Sequence, residues 1–282
     1  MSMSSLLIAF ALVGCSGEGT HSADSKPLDQ TQPAPVVAET PPPKLDLAAL
    51  NDGASNITIV PSPAEMQKAL EKAGIANKLD AMVPMRNLKM DVANTDVVAV
   101  RTGLVLADAL LTVKTAPKEK LVERLGQVKA GMISLKAGGD IAATIDDLSA
   151  RISNDGVSRD ELVKELDELQ GAIIPELEYE AGKQVVPLIQ AGSWLGGSNL
   201  VAAAIIDANK PDAGTSLLRQ PQVVDYFLKY VATEGGDKAP DEVVKQLKTT
   251  LDKLKEIASK PSLTLDDVKE VKTQTDTVLG LL

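Results

Sequence analysis

The hydrophobic positions of this chain follow the period of an α-helix over most of its length. Apolar residues recur three and four positions apart, a spacing that puts them on one face of a helix. Alternation typical of a strand is confined to one short segment, residues 56–60. The pattern therefore predicts an all-α fold, an irregular bundle of about eight to ten helices. One clear helical series follows Pro117 and consists of Leu121, Val122, Leu125, Val128 and Met132.

Capping residues predict where several of these helices begin. Ser62 is followed by Pro63 and Glu65, and Ser158 is followed by Glu161, as in a capping box. Pro175 is expected to end or restart the helix that begins at Ser158, because proline lacks the backbone N–H. The predicted helices cover 62–73, 76–83, 96–115, 140–153, 183–191, 198–208, 216–231, 240–259 and 265–281, with two more starting at 117 and 158 and Gly196-Gly197 separating one pair.

The segment 96–115 is apolar on almost every side and is predicted to be the central, most buried helix. It carries Arg101 and Asp108, whose spacing of seven residues puts both on one face. A buried charge is costly unless it is paired. Arg101 is therefore expected either to bind an anionic ligand or to pair with Asp108 or with a carboxylate of the segment Glu176–Glu180.

The N-terminal part of the chain departs from the helical pattern. Leu6–Val13 is an uninterrupted apolar run without charge, followed by Gly14 and Cys15. A membrane-spanning helix needs about 20 apolar residues, so this run is too short to be one. A short apolar segment that ends in small residues is instead typical of a cleaved secretory signal peptide.

Leu12-Val13-Gly14-Cys15 resembles the lipobox of bacterial lipoproteins. The resemblance implies that the signal peptide, residues 1–14, is removed and that Cys15 is lipidated on its thiol and acylated on its new amino group. Acyl chains such as palmitate on Cys15 would anchor the protein to a cell membrane or outer membrane, facing the periplasm. Ser16 favours the outer membrane by the same resemblance. Cys15 is the only cysteine, so no disulfide can form within the chain.

Residues 15–60 are rich in Pro, Ser and Thr and are predicted to form a disordered, flexible tether. Such a segment buries too little apolar surface to fold, and its proline clusters favour an extended spacer. The remaining residues, 61–282, form the predicted helical domain, with a C-terminal helical hairpin at 240–282. The chain is 44% hydrophobic but only 2% aromatic. The core must therefore be built from aliphatic side chains, which suits helices.

The composition excludes several classes of site. His21, the only histidine, lies in the tether, so no Ser-His-Asp triad or HExxH zinc site can form in the domain. The domain also lacks cysteine, which excludes thiolate zinc and iron–sulfur sites. We therefore expect no metal site of these kinds and no cofactor. The formal net charge is −10 and no basic stripe is visible, so nucleic acid is not an expected partner.

Two groups of residues remain as candidates for chemistry or binding. Glu176, Glu178 and Glu180 can serve acid–base catalysis or hold a hard cation. Alternatively, they lie at the start of a helix after Pro175, where carboxylates interact favourably with the helix dipole. Trp194 lies among glycines and is expected to line a ligand cleft, to rest on the bilayer or to cap the core.

These features lead to three hypotheses of function. The first is a non-enzymatic lipoprotein, held by membrane lipid through acylated Cys15, whose helical domain binds or organises an envelope protein. The second is a carrier or sensor for a small ligand, with Arg101, Asp108 and Trp194 as candidate ligand-binding residues. The third is a carboxylate-dependent enzyme on cell-wall glycans, centred on Glu176–Glu180. No His- or Cys-based chemistry is possible in the domain, so we expect no catalytic residue of that kind. The carboxylate enzyme ranks last because no recognisable motif surrounds any of these glutamates.

Overall fold

The computed structural model describes the chain from Val60 to Leu282, except for residues 85, 87, 138, 239 and 240; of Gln170 and residues 236–238 it describes the backbone alone. Over these residues the fold is all-α, with eleven helices and no strand, which confirms the predicted fold class. Cys15, His21 and all but the last residue of the possible strand at 56–60 lie outside the described residues. The helices are α1 (Pro63–Ala73), α2 (Leu79–Met82), α3 (Thr95–Thr112), α4 (Lys118–Ser134), α5 (Gly139–Ser153), α6 (Arg159–Glu180), α7 (Val185–Ala208), α8 (Pro211–Leu217), α9 (Pro221–Lys238), α10 (Asp241–Ala258) and α11 (Leu265–Leu279).

The apolar side chains form two core clusters. The first cluster is built from α3, α4, α5, α6 and the beginning of α7. The second cluster is built from α1, Leu79 of α2, Leu111 of α3, the rest of α7 and the helices α8 to α11. The most extensive contact between two helices is that of α3 with α7, and both helices supply residues to both clusters. These two helices are therefore the centre of the domain, as the apolar character of 96–115 predicts.

Glycines let α3 and α7 approach each other closely. A Cβ atom on Gly192 would overlap the carbonyl oxygen of Val100, and a Cβ on Gly103 would overlap that of Ile189. At the same crossing the Ser193 hydroxyl donates a hydrogen bond to the Gly103 carbonyl oxygen at 2.9 Å. Since the backbones themselves are in contact, no larger residue fits at either glycine without a shift of the helices.

The expected break at Gly196-Gly197 is wrong, because α7 runs without interruption from Val185 to Ala208. A Cβ on Gly196 would overlap the Leu104 side chain, and a Cβ on Gly197 would lie 2.5 Å from Met66 Sδ. Each glycine costs an isolated helix about 1 kcal/mol relative to alanine. In this helix the glycines provide space for neighbouring side chains, and the packing outweighs their low helix propensity.

The expected break at Pro175 is also wrong, since α6 continues through it from Arg159 to Glu180. Pro175 has no N–H to donate to the carbonyl of Gly171, and a proline inside a helix costs about 3 kcal/mol. Ile173 and Leu177, on either side of it, are both 0% exposed and belong to the first cluster. Their burial, about 1.5–3 kcal/mol for each side chain, is sufficient to offset that cost.

Local capping patterns predict helix starts correctly. Ser62 and Ser158 both form complete capping boxes, so α1 and α6 begin where expected. Gly74 ends α1 with φ 67°, a left-handed conformation that glycine adopts readily. The C-terminal pair, α10 and α11, also lies where the sequence predicts and packs together.

Three other predicted boundaries are wrong. The short helix expected at 76–83 is reduced to α2, and the central helix ends at Thr112 instead of Thr115. The helix expected at 216–231 is replaced by α8 and α9. The division falls just before Pro221, whose fixed φ and missing N–H suit the first turn of a new helix.

Among the described helices, α7 is long and apolar enough to cross a membrane, with a mean hydropathy of 1.2 over its most apolar stretch. In the domain, 78% of that stretch is buried against other helices. The apolar character of α7 is thus accounted for by its place in both core clusters.

Candidate functional site

An apolar cavity of about 320 Å³ lies between α3, α7, α9, α10 and α11. Its volume falls at the lower end of the range of roughly 300–1,000 Å³ that small-molecule sites occupy. Aliphatic side chains form most of its wall, and the aromatic rings of three residues from α7 and α9 complete it. The principal lining residues are Val97, Val100, Leu188, Ala191, Trp194, Leu195, Phe227, Tyr230, Val231, Val243, Val244, Leu247, Thr250, Leu251, Val278, Leu281 and Leu282.

Trp194 forms part of the cavity wall and is only 4% exposed. Its indole Nε1 donates a hydrogen bond to Gln220 Oε1 at 2.8 Å. Its ring centroid lies 5.3 Å from that of Phe227, in a tilted contact. The polar edge of the indole is therefore satisfied, and its position is fixed by neighbours on both sides. Of the three places considered for Trp194, the structure favours the ligand cleft and the core over the bilayer surface.

Arg101 lies beside the cavity and binds backbone carbonyls. Its Nε donates to the carbonyl oxygen of Leu282 at 2.9 Å, and its Nη1 donates to that of Lys89 at 2.7 Å. The expected ion pair with Asp108 or Glu176–Glu180 is absent among the described residues. Two helical turns, about 10 Å along the axis, separate Arg101 from Asp108, so the two side chains have different neighbours. Arg101 instead connects the end of the chain described here to the loop before α3.

Asp108 pairs with Arg86, which the sequence analysis did not single out. Their side chains are only 7% and 14% exposed. Burial raises the pKa of Asp108, although the charges and hydrogen bond of Arg86, and the charge of Arg124, act in the opposite direction. The pair borders a second, more polar cavity of about 420 Å³. The sequence analysis missed Arg86 because it lies in the loop before α3. A loop has no periodic pattern that would indicate where its side chains point.

The same polar surface of α3 contacts a second arginine, Arg124 on α4. Its Nη2 lies 2.8 Å from Asp80 Oδ1, and its Nη1 donates to Thr112 Oγ1 at 2.5 Å. Two arginines of the cavity lining thus pair with Asp108, which also lines it, and with Asp80 beside it, and the lining further includes the oppositely charged Lys120 and Glu123. Because the opposite charges match one another, the arrangement favours a structural role over recognition of a charged ligand.

The predicted place of Glu176, Glu178 and Glu180 at the start of a helix is wrong. They lie in the last turns of α6 and not at a helix N-terminus, so the helix dipole does not account for them. They line neither of the two cavities described above. Among the described residues, no group of three or more His, Cys, Asp or Glu side chains is arranged to hold a metal ion.

The structure therefore brings two of the sequence candidates, Trp194 and Arg101, to one region around the apolar cavity, and places Asp108 at another. The residues that complete the cavity come from helices far apart in sequence, and no local motif indicates them. No protein-family model, curated protein or solved structure matches this chain.

Proposed function

We propose that this chain is a membrane-anchored envelope lipoprotein whose helical domain binds a small, mostly apolar molecule in the cavity beside Trp194. The observation that carries the proposal is the cavity itself, a partly open pocket lined by aliphatic and aromatic side chains from five helices. Binding in a preformed apolar cavity gains a free energy of about 25 cal/mol for each Å² of apolar ligand surface that is removed from water. The lipobox-like segment at Cys15 supports the membrane anchor.

A binding role for the cavity is favoured over a role as a protein scaffold. Stable protein interfaces bury roughly 1,200–2,000 Å² and have an apolar centre. Among the described residues, the large apolar side chains that are exposed are Ile133, Tyr179 and Leu281. They belong to three separate parts of the chain, α4, α6 and the segment after α11. Leu281 also lines the cavity, so among the described residues the exposed large apolar side chains form no continuous patch away from it.

The proposal is tested by titrating the purified, delipidated protein with the apolar probe N-phenyl-1-naphthylamine. Trp194 is the only tryptophan, so its fluorescence reports directly on the cavity wall. We expect saturable quenching of Trp194 emission in the wild type. Ala191→Phe fills the cavity from α7 and should weaken binding by about tenfold or more, because the wall cannot accommodate both the ring and the probe.

Ala143→Phe is the matched control, since Ala143 is an exposed residue of α5. It adds the same ring outside the cavity and should leave probe affinity unchanged, with helical circular dichroism verifying the fold of both variants. A wild type that shows no saturable change, or an Ala191→Phe variant that folds and binds as the wild type does, would contradict the proposal.

A further inference from the structure

The cavity wall carries almost no charge. Among the lining residues whose side chains are described, Asp96 has the only charged one, and it lies in the first turn of α3. Arg101, beside the cavity, directs its guanidinium at the carbonyl oxygens of Leu282 and Lys89. Among the side chains that the structure describes, an anionic group inside the cavity would thus meet a carboxylate and no available cation. A charged group transferred from water to such a site loses its hydration without gaining a partner.

One polar side chain, Thr250 of α10, is nevertheless buried at the cavity. Thr250 is 2% exposed and contributes to the lining. No hydrogen bond of its hydroxyl group is found among the described residues, and the one fully enclosed side-chain atom without a hydrogen-bond partner there is Asp80 Oδ1, so the Thr250 oxygen remains within reach of a small probe. The adjacent Thr249 differs, because it is exposed and its hydroxyl donates to the Lys245 carbonyl at 2.8 Å. Buried hydroxyl groups are nearly always hydrogen-bonded, so Thr250 has the capacity to bond one polar group of a ligand.

The size of the cavity restricts the ligand further. A volume of about 320 Å³ is at the lower limit for small-molecule sites and is too small for both chains of a phospholipid. Aliphatic side chains such as Val244 and Leu247 of α10 line the cavity together with Trp194 and Phe227. Such a wall suits one hydrocarbon chain, which makes dispersion contacts along its whole length.

From these observations we infer that the cavity binds an uncharged, single-chain amphiphile, such as a long-chain alcohol or monoacylglycerol, whose oxygen is hydrogen-bonded by the Thr250 hydroxyl. This inference rests on the proposed function and names its ligand class. It requires that the ligand be neutral in the cavity and that the hydroxyl of Thr250, and not of Thr249, contribute to its affinity.

The test is displacement of bound N-phenyl-1-naphthylamine by 1-decanol and by decanoate at pH 8, where the acid is ionised. The two competitors share a chain length and differ in the charge of the polar group. We expect 1-decanol to displace the probe from the wild type at a concentration at least about tenfold lower than decanoate does, because only the acid must lose a charged hydration shell.

Thr250→Val keeps the shape of the side chain and removes the hydroxyl. It should weaken 1-decanol binding by about threefold to tenfold, the effect of one hydrogen bond, when displacement is corrected for the affinity of the same variant for the probe. Thr250→Ser should retain the wild-type preference for 1-decanol, which separates loss of the hydroxyl from a packing defect. Thr249→Val is the matched control and should behave as the wild type does.

Equal or better displacement by decanoate would overturn the inference, as would wild-type affinity for 1-decanol in Thr250→Val. A wild type that binds the probe but releases it to neither competitor would also overturn the inference, while leaving the proposed function intact. A wild type that does not bind the probe at all would contradict the proposed function itself.

Discussion

At the scale of single residues, the closest contacts in the domain involve glycine. The Cα atoms of Gly192 and Gly103 face backbone carbonyl oxygens of the opposing helix, so each position excludes even a methyl group. Packed interiors tolerate little added volume, especially where the neighbouring atoms are backbone and cannot rotate away. The identity of these two residues thus determines how far apart α3 and α7 lie.

We predict that Gly192→Ala lowers the free energy of unfolding by about 1–3 kcal/mol or more, because α3 and α7 must separate to admit the new Cβ. Urea denaturation followed by circular dichroism measures the change. Gly126→Ala on α4 is the control, since a Cβ there meets nothing within 4 Å. The control should gain up to about 1 kcal/mol from the better helix propensity of alanine. Equal stability of the two variants would contradict this account.

The sequence identified individual residues of the candidate site more readily than their partners. Trp194 was noticeable as the only tryptophan, and Arg101 and Asp108 as charges in an apolar segment. Their actual partners, Gln220, Leu282 and Arg86, belong to other helices or loops. Spacing along one helix says which residues share a face, but the packing of distant segments decides what that face contacts.

At the scale of helices, starts that are marked by a capping box were predicted well and interruptions were not. The capping boxes at Ser62 and Ser158 are local interactions, completed within four residues, so the sequence alone specifies them. Pro175 and Gly196-Gly197 disfavour helix locally, yet both lie inside long helices. There the burial of neighbouring apolar side chains outweighs a local preference, and that burial depends on the whole fold.

We predict that Pro175→Ala raises the free energy of unfolding by about 1 kcal/mol or more, because alanine restores the N–H that can bond the Gly171 carbonyl. The gain is smaller than the full cost of an interior proline, since alanine also makes the unfolded chain more flexible. Urea denaturation provides the measurement.

Pro117→Ala is the matched control for this change. Pro117 precedes the first residue of α4, where no helical N–H is missing. The control should show no gain in stability. A gain there equal to that of Pro175→Ala would contradict this account, because Pro117 interrupts no hydrogen bond of a helix interior.

At the scale of the whole molecule, the chain combines a proposed lipid anchor, a proposed tether and a helical domain. The domain was predicted to be all-α, and it is. The cavity could not be predicted, because its wall is assembled from five helices whose relative positions depend on long-range packing. The anchor, by contrast, is proposed from a short local motif that needs no folded structure.

We predict that Cys15→Ala moves the protein from the membrane fraction to the soluble fraction when cells that express it are fractionated. Two or more acyl chains make attachment stable, since each buried CH₂ contributes about 0.8 kcal/mol, and alanine offers no thiol for the first of them. Fractionation followed by immunoblotting is the measurement, with Ser2→Ala as a control that leaves the lipobox-like segment unchanged. Equal membrane association of Cys15→Ala and wild type would contradict the anchor.

The passage of α7 through both core clusters has a consequence for how the domain responds to a ligand. Neither cluster can come apart without exposing a surface of the same continuous helix, so the domain should open as one cooperative unit. A molecule bound beside Trp194 would therefore slow hydrogen exchange in amides of α4 and α5, which do not line the apolar cavity. Because α7 belongs to both clusters, ligand binding in the apolar cavity should be detectable in helices that do not line it.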